Sequence, residues 1–284
     1  MFTLKTTHKI ALAHIACSII LSYRKILGKS NRAIVKRDNI WWDLDLTEGI
    51  DFSIYLLGGF EPVTLNLYKK LVKPGNTVLD IGANIGSHTL PLARLVGDHG
   101  QVIAFEPTRF AIEKMASNIA LNKDIATRIS VRQDMLVANE QDILEKEIYS
   151  SWPLFGHEKN IHEEHRGKLM GTEGAVAVTL DKVISQMGIT RIDLIKLDVD
   201  GHEYSVLAGG KTTLSTYRPT IVMELAPYLF DPSSGAFEKM ISLFASLNYA
   251  MLDANTGKML TLNPNQLRAH IPVGGTRNVL LKPI

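Results

Sequence analysis

An α/β domain with a doubly wound, mostly parallel sheet is predicted by three observations. Short apolar, β-branched runs alternate with helix-spaced segments from Thr77 onward, a glycine turn joins the first run to its helix, and Glu106 stands twenty residues beyond that turn. With 284 residues and 45% hydrophobic content the chain can bury such a core, and no compositional bias points to disorder.

The N-terminal arm differs in charge from the rest of the chain. The first 37 residues hold eight Lys or Arg and no acid, whereas the remaining residues balance at −6. Within the arm, the apolar run Ile10–Tyr23 has 14 residues, too few to cross a hydrocarbon core of about 30 Å at roughly 1.5 Å per residue. Tyr23-Arg24-Lys25 is a poor signal-cleavage site. Two expectations remain: a helix packed on the domain or on a second subunit of a homo-oligomer, and a basic amphipathic helix on an anionic membrane face. Both accord with a cytoplasmic protein, the second with one held peripherally at the inner membrane face. The single cysteine, Cys17, excludes an intrachain disulfide framework and a cysteine-rich zinc site.

The domain organisation read from this is an arm over residues 1–40 and one domain over 41–284. An aromatic lead-in, Trp41–Pro62, precedes the alternating pattern. Strands are expected at Thr77–Ile81, Gln101–Glu106 and Ile129–Gln133, with helices at Ile85–Val96 and Thr108–Asn122 between them. Residues 137–173 interrupt the rhythm with a polar, histidine-bearing segment, expected to be an insertion on the substrate side. The rhythm resumes with strands at Ala175–Leu180, Ile192–Leu197 and Thr220–Leu225, helices near Glu203–Tyr217 and Ala236–Leu247, and closing strands near Tyr249–Asp253 and Asn278–Lys282.

The stretch TVLDIGANIGSHT, Thr77–Thr89, carries the chemistry of the first turn. Gly82 and Gly86 let a ligand approach the backbone, and a helix starting at Ile85–Ser87 would offer N–H groups to an anion. A dinucleotide fingerprint is absent, because Asn84 and Ser87 replace two of its glycines, and no Gly-Lys-Ser/Thr follows for a nucleotide triphosphate. Asp80 at the strand end would repel a pyrophosphate and attract an ammonium. Glu106, ending the second strand, suits ribose hydroxyls. S-adenosylmethionine has a ribose, a carboxylate and an ammonium end, and is the cofactor these groups suit together.

Four stretches, DFSIYLLGGFEP, VLDIGANIGSHTLPLA, VIAFEPTRFAIEKMASNIALN and VTLDKVI with IDLIKLDVDGHEYSVLAGG, give the chain a resemblance to the FkbM-type S-adenosylmethionine-dependent methyltransferases. The resemblance covers roughly Trp41 to Pro283; where the family usually shows Asp-x-Glu-Gly, this chain has Asp198-Val199-Asp200-Gly201, a departure that conserves the carboxylate. It implies a class I, Rossmann-like methyltransferase with a seven-stranded sheet and helices on both faces. It also implies a cofactor site of Asp80, Gly82, Asn84 and Gly86 around the methionine and ribose, Glu106 on the ribose hydroxyls, and Asp134 near the adenine amine.

The acceptor is expected beside the next strand end, where Asp198, Asp200 and His202 follow an apolar strand, with Glu224 at the end of TIVMEL. These four are the candidate catalytic groups, Asp198 foremost, as proton acceptors or acceptor-positioning residues. Lys196 is placed to steady a carboxylate. The bland alternatives are an Asp-Gly turn with Glu203 at a helix start, and an ordinary ion pair at Glu224. The Asp198/Asp200 pair leaves room for magnesium, which is not predicted, and no metal ligand is assigned. His157, His162 and His165, with Glu158, Glu163 and Glu164, are read as a solvated polar loop rather than a zinc site.

The function expected is methyl transfer to a hydroxyl of a small-molecule or saccharide acceptor: a sugar, glycan, lipid-linked saccharide or secondary metabolite. The alternatives are a non-catalytic binding or assembly protein that retains the fold, and an N-methyltransferase of a small molecule. A mildly acidic body without an Asn-Pro-Pro-Tyr-type signature speaks against a nucleic-acid partner. The acceptor pocket is expected between the lead-in around Trp41 and Trp42 and the 137–173 insertion.

Overall fold

Strands whose residues are apolar on both faces must be covered on both sides, and that constraint organises this chain. The computed structural model describes residues 6–155, 167–271 and 273–284. Helix α1, Thr6–Ile26, leads into a β-hairpin of β1, Arg32–Arg37, and β2, Ile40–Asp45, which carries the chain across residue 40. Two helices, α2 at Gly49–Leu57 and α3 at Pro62–Leu71, precede the first central strand, β3 at Thr77–Ile81. Then come α4 (Thr89–Leu95), β4 (Gln101–Phe105), α5 (Arg109–Ala120), the short α6 (Lys123–Ala126) and β5 (Ile129–Arg132).

The insertion contributes β6 (Asp134–Leu136), β7 (Glu147–Ser151), β8 (Lys168–Gly171) and β9 (Val176–Val178) outside the central sheet. The winding then resumes with α7 (Leu180–Gln186), β10 (Leu194–Leu197), α8 (Glu203–Ala208), α9 (Lys211–Tyr217) and β11 (Thr220–Leu225). It closes with α10 (Ala236–Ser246), β12 (Tyr249–Asp253), β13 (Met259–Leu260), α11 (Pro264–His270) and β14 (Arg277–Pro283).

Among the described residues the central sheet has eight strands in the order β13-β12-β14-β11-β10-β3-β4-β5. The run β11-β10-β3-β4-β5 is parallel, and β14 lies antiparallel between β11 and β12. The eighth strand is β13, a two-residue edge pairing, so the seven-stranded expectation is exceeded by that edge alone. The winding reverses between β3 and β10, and the ligand crevice of such a sheet lies beyond the carboxyl ends of those strands.

Side-chain parity assigns the two cores. Leu79, Ile81, Ile195, Leu197, Ile221 and Met223 point to one face, packed by α7 to α11. Val78, Val102, Leu194, Val222 and Leu280 point to the other, where α1 to α4 and β2 cover them.

Four sequence expectations change in detail. The first helix starts at Thr89 rather than Ile85, because Asn84 (φ 48°) and Gly86 (φ 86°) are left-handed and cannot sit inside a right-handed helix. Pro91 consequently falls in the first turn, where its missing N–H has no intrahelical role. The helix expected over Glu203–Tyr217 is two helices, α8 and α9, broken at Gly209-Gly210; a Cβ on Gly209 would lie 2.1 Å from the Val137 carbonyl oxygen. Ala175–Leu180 is not a central strand: only Val176–Val178 is extended, paired to β6, and Leu180 opens α7. The insertion, without a clear strand pattern in sequence, contains the antiparallel β7–β8 hairpin.

One buried ion pair ties the lead-in to the sheet layer. Lys114 on α5 donates to both oxygens of Asp51 on α2, at 2.7 and 2.8 Å, and Asp51 is 1% exposed. Burial pushes the Asp51 carboxyl up to about 6 although Lys114 pulls it down. Removing only the cation strands a buried charge, so Lys114→Met is expected to cost roughly 3 kcal/mol of unfolding free energy at neutral pH. The double change Lys114→Met/Asp51→Asn should recover much of that loss, as read by urea denaturation; equal losses in both would contradict the pairing.

Candidate functional site

The turn after β3 is built by close approach. Gly82 has φ 77°, and a Cβ there would sit 1.8 Å from the Asp198 carbonyl oxygen, so only glycine lets β3 and β10 leave the sheet side by side. Asn84 then adopts a left-handed conformation and turns its amide outward, donating to the Ser150 carbonyl at 2.9 Å. Its Oδ1 accepts the Ile85 N–H at 2.8 Å, and Gly86 N–H goes to the Ala83 carbonyl. The anion-binding helix start expected at Ile85–Ser87 is therefore absent: the Ile85 and Gly86 amides are already used inside the turn.

Beyond the strand ends lies a cavity of about 630 Å³, within the range of small-molecule sites. Of the sequence candidates, Gly82, Asn84, Glu106, Asp134, Asp198, Asp200, His202 and Glu224 all line it. Asp80 and Gly86 do not; they stand behind its wall. Asp80 is fully buried because its parity on β3 aims it at α4, where Thr89 Oγ1 donates to Oδ2 at 2.6 Å. The ammonium it faces is the protein's own: Lys196 Nζ lies 3.6 Å from Asp80 Oδ1, which has no hydrogen bond among the described residues. Gly86 is held by packing, since a Cβ would meet Leu90 and Met115 at 2.6 and 3.1 Å.

On the cavity wall Glu106 follows β4 directly. Its Oε1 accepts from Thr108 N at 3.0 Å and from Ser150 Oγ at 3.3 Å, and Oε2 accepts from Asn84 N at 3.0 Å. Burial raises its carboxyl above the ordinary range, against the pull of the Thr108 hydroxyl and amide and the Asn84 amide. One acceptor site on Oε2 is still free, enough for one hydroxyl of a ligand. Asp134, 6% exposed at the start of β6, is held by Arg132 Nε at 2.7 Å.

Beside Gly82, acids crowd one lysine. Lys196 is 5% exposed and donates to the Gly82 carbonyl at 2.7 Å, with Asp198 Oδ2 at 3.6 Å. Burial lowers its pKa, but Asp198, Asp80 and Glu61 together raise it further, so it stays charged. Asp200, in a left-handed conformation (φ 49°), is raised well above the carboxylate range by burial and by Asp198. Glu224 is raised likewise by burial, Asp198 and Glu61. His202 lies at the cavity edge, Nδ1 3.8 Å from Glu145. Among the described residues no group of three or more His, Cys, Asp or Glu is arranged to hold a metal ion. The histidine and glutamate cluster from His157 to His165 lies outside the described residues.

Several lining residues escaped sequence reasoning. Glu61 lines the cavity, with Oε2 accepting from Thr64 Oγ1 at 2.9 Å and Asn278 at 3.1 Å. His88 is 2% exposed, and neither ring nitrogen has a hydrogen-bond partner among the described residues. Burial and then Lys196 push its pKa well below the ordinary value, which leaves it neutral between the rings of Phe60 and Tyr68. Its position in Gly86-Ser87-His88-Thr89, directly after the turn, was the one signal for it. Ser150 had none, because the insertion brings it in from 66 residues beyond Asn84.

The lead-in and the insertion do wall the cavity, through Gly49, Ile50 and Phe60 on one side and Trp152, Pro153 and Leu154 on the other. Gly49 N donates to the Trp152 carbonyl at 2.8 Å and Leu154 N to the Thr47 carbonyl at 2.7 Å, stitching the two segments together. Trp41 and Trp42 are not part of it. Alternation along β2 sends Trp41 outward, 44% exposed, and Trp42 into the core, 2% exposed.

Among known proteins, the methyltransferase FkbM domain matches residues 80–251 of the chain. A methyltransferase, sdnD, of Sordaria araneosa is 32% identical over 156 residues, which cover 46% of this chain and 59% of that protein. The 2-O-methyltransferase NoeI of Sinorhizobium fredii is 29% identical over 171 residues, 55% of this chain and 67% of its own length. Against the former, this chain spans less than two thirds of the relative. A crystal structure of a methyltransferase FkbM from Methylobacillus flagellatus is 17% identical, covering 83% of this chain and 56% of that one, with a TM-score of 0.45.

Glu203 provides a test of the electrostatics. It is 4% exposed, its Oε1 accepts from Val199 N and Gly201 N, and burial pushes its carboxyl up to about 7. A raised acid stabilises the fold below its unfolded pKa and loses that contribution as pH rises through the folded value, on the order of 3 kcal/mol in all. Glu203→Gln keeps an oxygen acceptor for both amides. Urea denaturation should show the variant matching wild type near pH 4 and exceeding it above pH 7; a gap independent of pH would reject this assignment.

Proposed function

Since the chain belongs to the FkbM methyltransferase family, we propose that it transfers a methyl group from S-adenosylmethionine to a hydroxyl of a saccharide or secondary metabolite. The observation that carries this reading is one cavity lined by Gly82, Asn84 and Glu106 together with Asp198, Asp200 and Glu224. The residues present fit the cofactor. Glu106 keeps a free acceptor site for a ribose hydroxyl, Asp134 is an acid beside it for the adenine amine, and an acid-lined wall suits a molecule with sulfonium and ammonium charges. The relative named for 2-O-methylation supports an oxygen acceptor.

When bound, S-adenosylmethionine supplies an activated methyl group. The protein's share is then to align the acceptor oxygen and take up its proton. Asp198 is the group assigned to that proton: it follows β10 on the cavity wall, with Lys196 Nζ 3.6 Å away. Asp200 and Glu224, whose carboxyls are raised well above the carboxylate range by burial and by Asp198, serve instead as hydrogen-bonding groups that position the acceptor. Neutral His88 adds either a donor or an acceptor, according to its tautomer. A second reading, methylation of an amine, is favoured by the acidity around Lys196, because four acids, Glu61, Asp198, Asp200 and Glu224, share the lone lysine among the described lining residues.

Calorimetry with S-adenosylmethionine and its demethylated product tests the cofactor site. Glu106→Gln should weaken binding roughly tenfold or more; its NH2 then faces a Thr108 or Asn84 donor, so the melting temperature falls too, and a cooperative transition above the assay temperature shows the variant folded. Absence of binding by the wild-type chain would refute the reading. Once an acceptor is found by labelled-methyl transfer to saccharide and metabolite extracts, Asp198→Asn should lower kcat by roughly a hundredfold or more with cofactor affinity little changed. The linkage in the labelled product, C–O–CH3 or C–N–CH3, separates the two acceptor readings.

A further inference from the structure

Helix α1 has two apolar sides, and the fold covers only one. Cys17 is fully buried, donating its thiol to the Leu46 carbonyl at 3.0 Å, and Ala13, Ala16, Ile20 and Leu21 pack with it on the core. On the other side Leu12, Ile15, Ile19, Tyr23 and Ile26 recur at helical spacing and are 57 to 81% exposed. That row extends over about 21 Å of helix. A helix apolar on both sides needs a cover on both.

The charges around the row choose the cover. The first 37 residues hold eight Lys or Arg and no acid, and Lys25, Lys29 and Lys36 are exposed. A two-fold contact between copies through this face would lay one basic arm against another, with no acid in either to pair. An anionic surface turns the same cations into attraction, while the rest of the chain, at −6, is repelled and stays clear of it. Among the described residues no helix is long and apolar enough to cross a membrane.

We propose that α1 is an interfacial helix that docks the protein on an anionic lipid bilayer, with the Leu12, Ile15, Ile19, Tyr23 and Ile26 row in the acyl boundary and the lysines at the headgroups. The docked helix also touches the cavity wall. His14 packs on Phe155 with ring centroids 4.4 Å apart, immediately after the Trp152–Leu154 segment that lines the cavity. The inference does not rest on the methyl-transfer reading, because it concerns a face that the cavity does not use.

The test is co-sedimentation of the full chain with vesicles of phosphatidylcholine, with and without a third phosphatidylglycerol. Wild type should pellet with the anionic vesicles, less so at high salt, and not with phosphatidylcholine alone. Ile15→Gln/Ile19→Gln should weaken partitioning at least about tenfold. Lys25→Gln and Lys29→Gln should each weaken it about fivefold at low salt. These side chains are exposed, so matching melting curves confirm folded variants. Failure to pellet, or equal pelleting with neutral vesicles, overturns the proposal. So does a dimer in sedimentation equilibrium that Ile15→Gln/Ile19→Gln dissociates, since a second copy would then be the cover.

Discussion

The buried ammonium of Lys196 is the constraint on which the site depends. It sits opposite Asp80 in the β10–β3 register, at the point where the winding of the sheet reverses. Its hydrogen bond to the Gly82 carbonyl fixes the first turn, and its two carboxylate neighbours, Asp80 and Asp198, belong to the two adjacent strands. An unpaired charge at Asp80, which is fully buried, would be costly. The lysine therefore holds the ends of β3 and β10 together and sets the charge that the neighbouring acids meet.

From that point the acids fall into distinct states. Burial raises the Asp80 carboxyl and Lys196 pulls it down, whereas Asp200 and Glu224 are raised well above the carboxylate range by burial and by Asp198. Pairs of titratable groups pushed apart by their surroundings are how a site assigns acid and base roles.

The insertion completes the enclosure. Ser150 reaches Asn84 and Glu106, while the segment after it pairs with the lead-in through Gly49 and Leu154, so three distant parts of the chain share one polar network. The lead-in is in turn anchored to α5 by the Lys114–Asp51 pair. Cavity shape is coupled to the packing of the N-terminal elements rather than to the sheet alone.

Much of this was legible in the residues themselves. Period-two and helical patterns located the central strands because burial on both faces demands apolar runs, and the order Asp80, Gly82, Asn84, Gly86 with Glu106 beyond excluded dinucleotides and pointed to the cofactor end. Eight of the ten site candidates reach the cavity for the same reason: strand ends at a switch point converge whatever the loops do. Side-chain direction was not legible, since it follows from register and parity. Only the folded sheet aimed Asp80 at Thr89 and Lys196 and sent Trp42 into the core. Nor could spacing reveal Glu61, His88 and Ser150 as partners of one site, because their contacts span long stretches of chain. The local sequence determined the strands, the turn and the chemistry offered at their ends; tertiary packing decided which of those groups meet, since a residue's charge state and partners depend on neighbours that only the fold supplies.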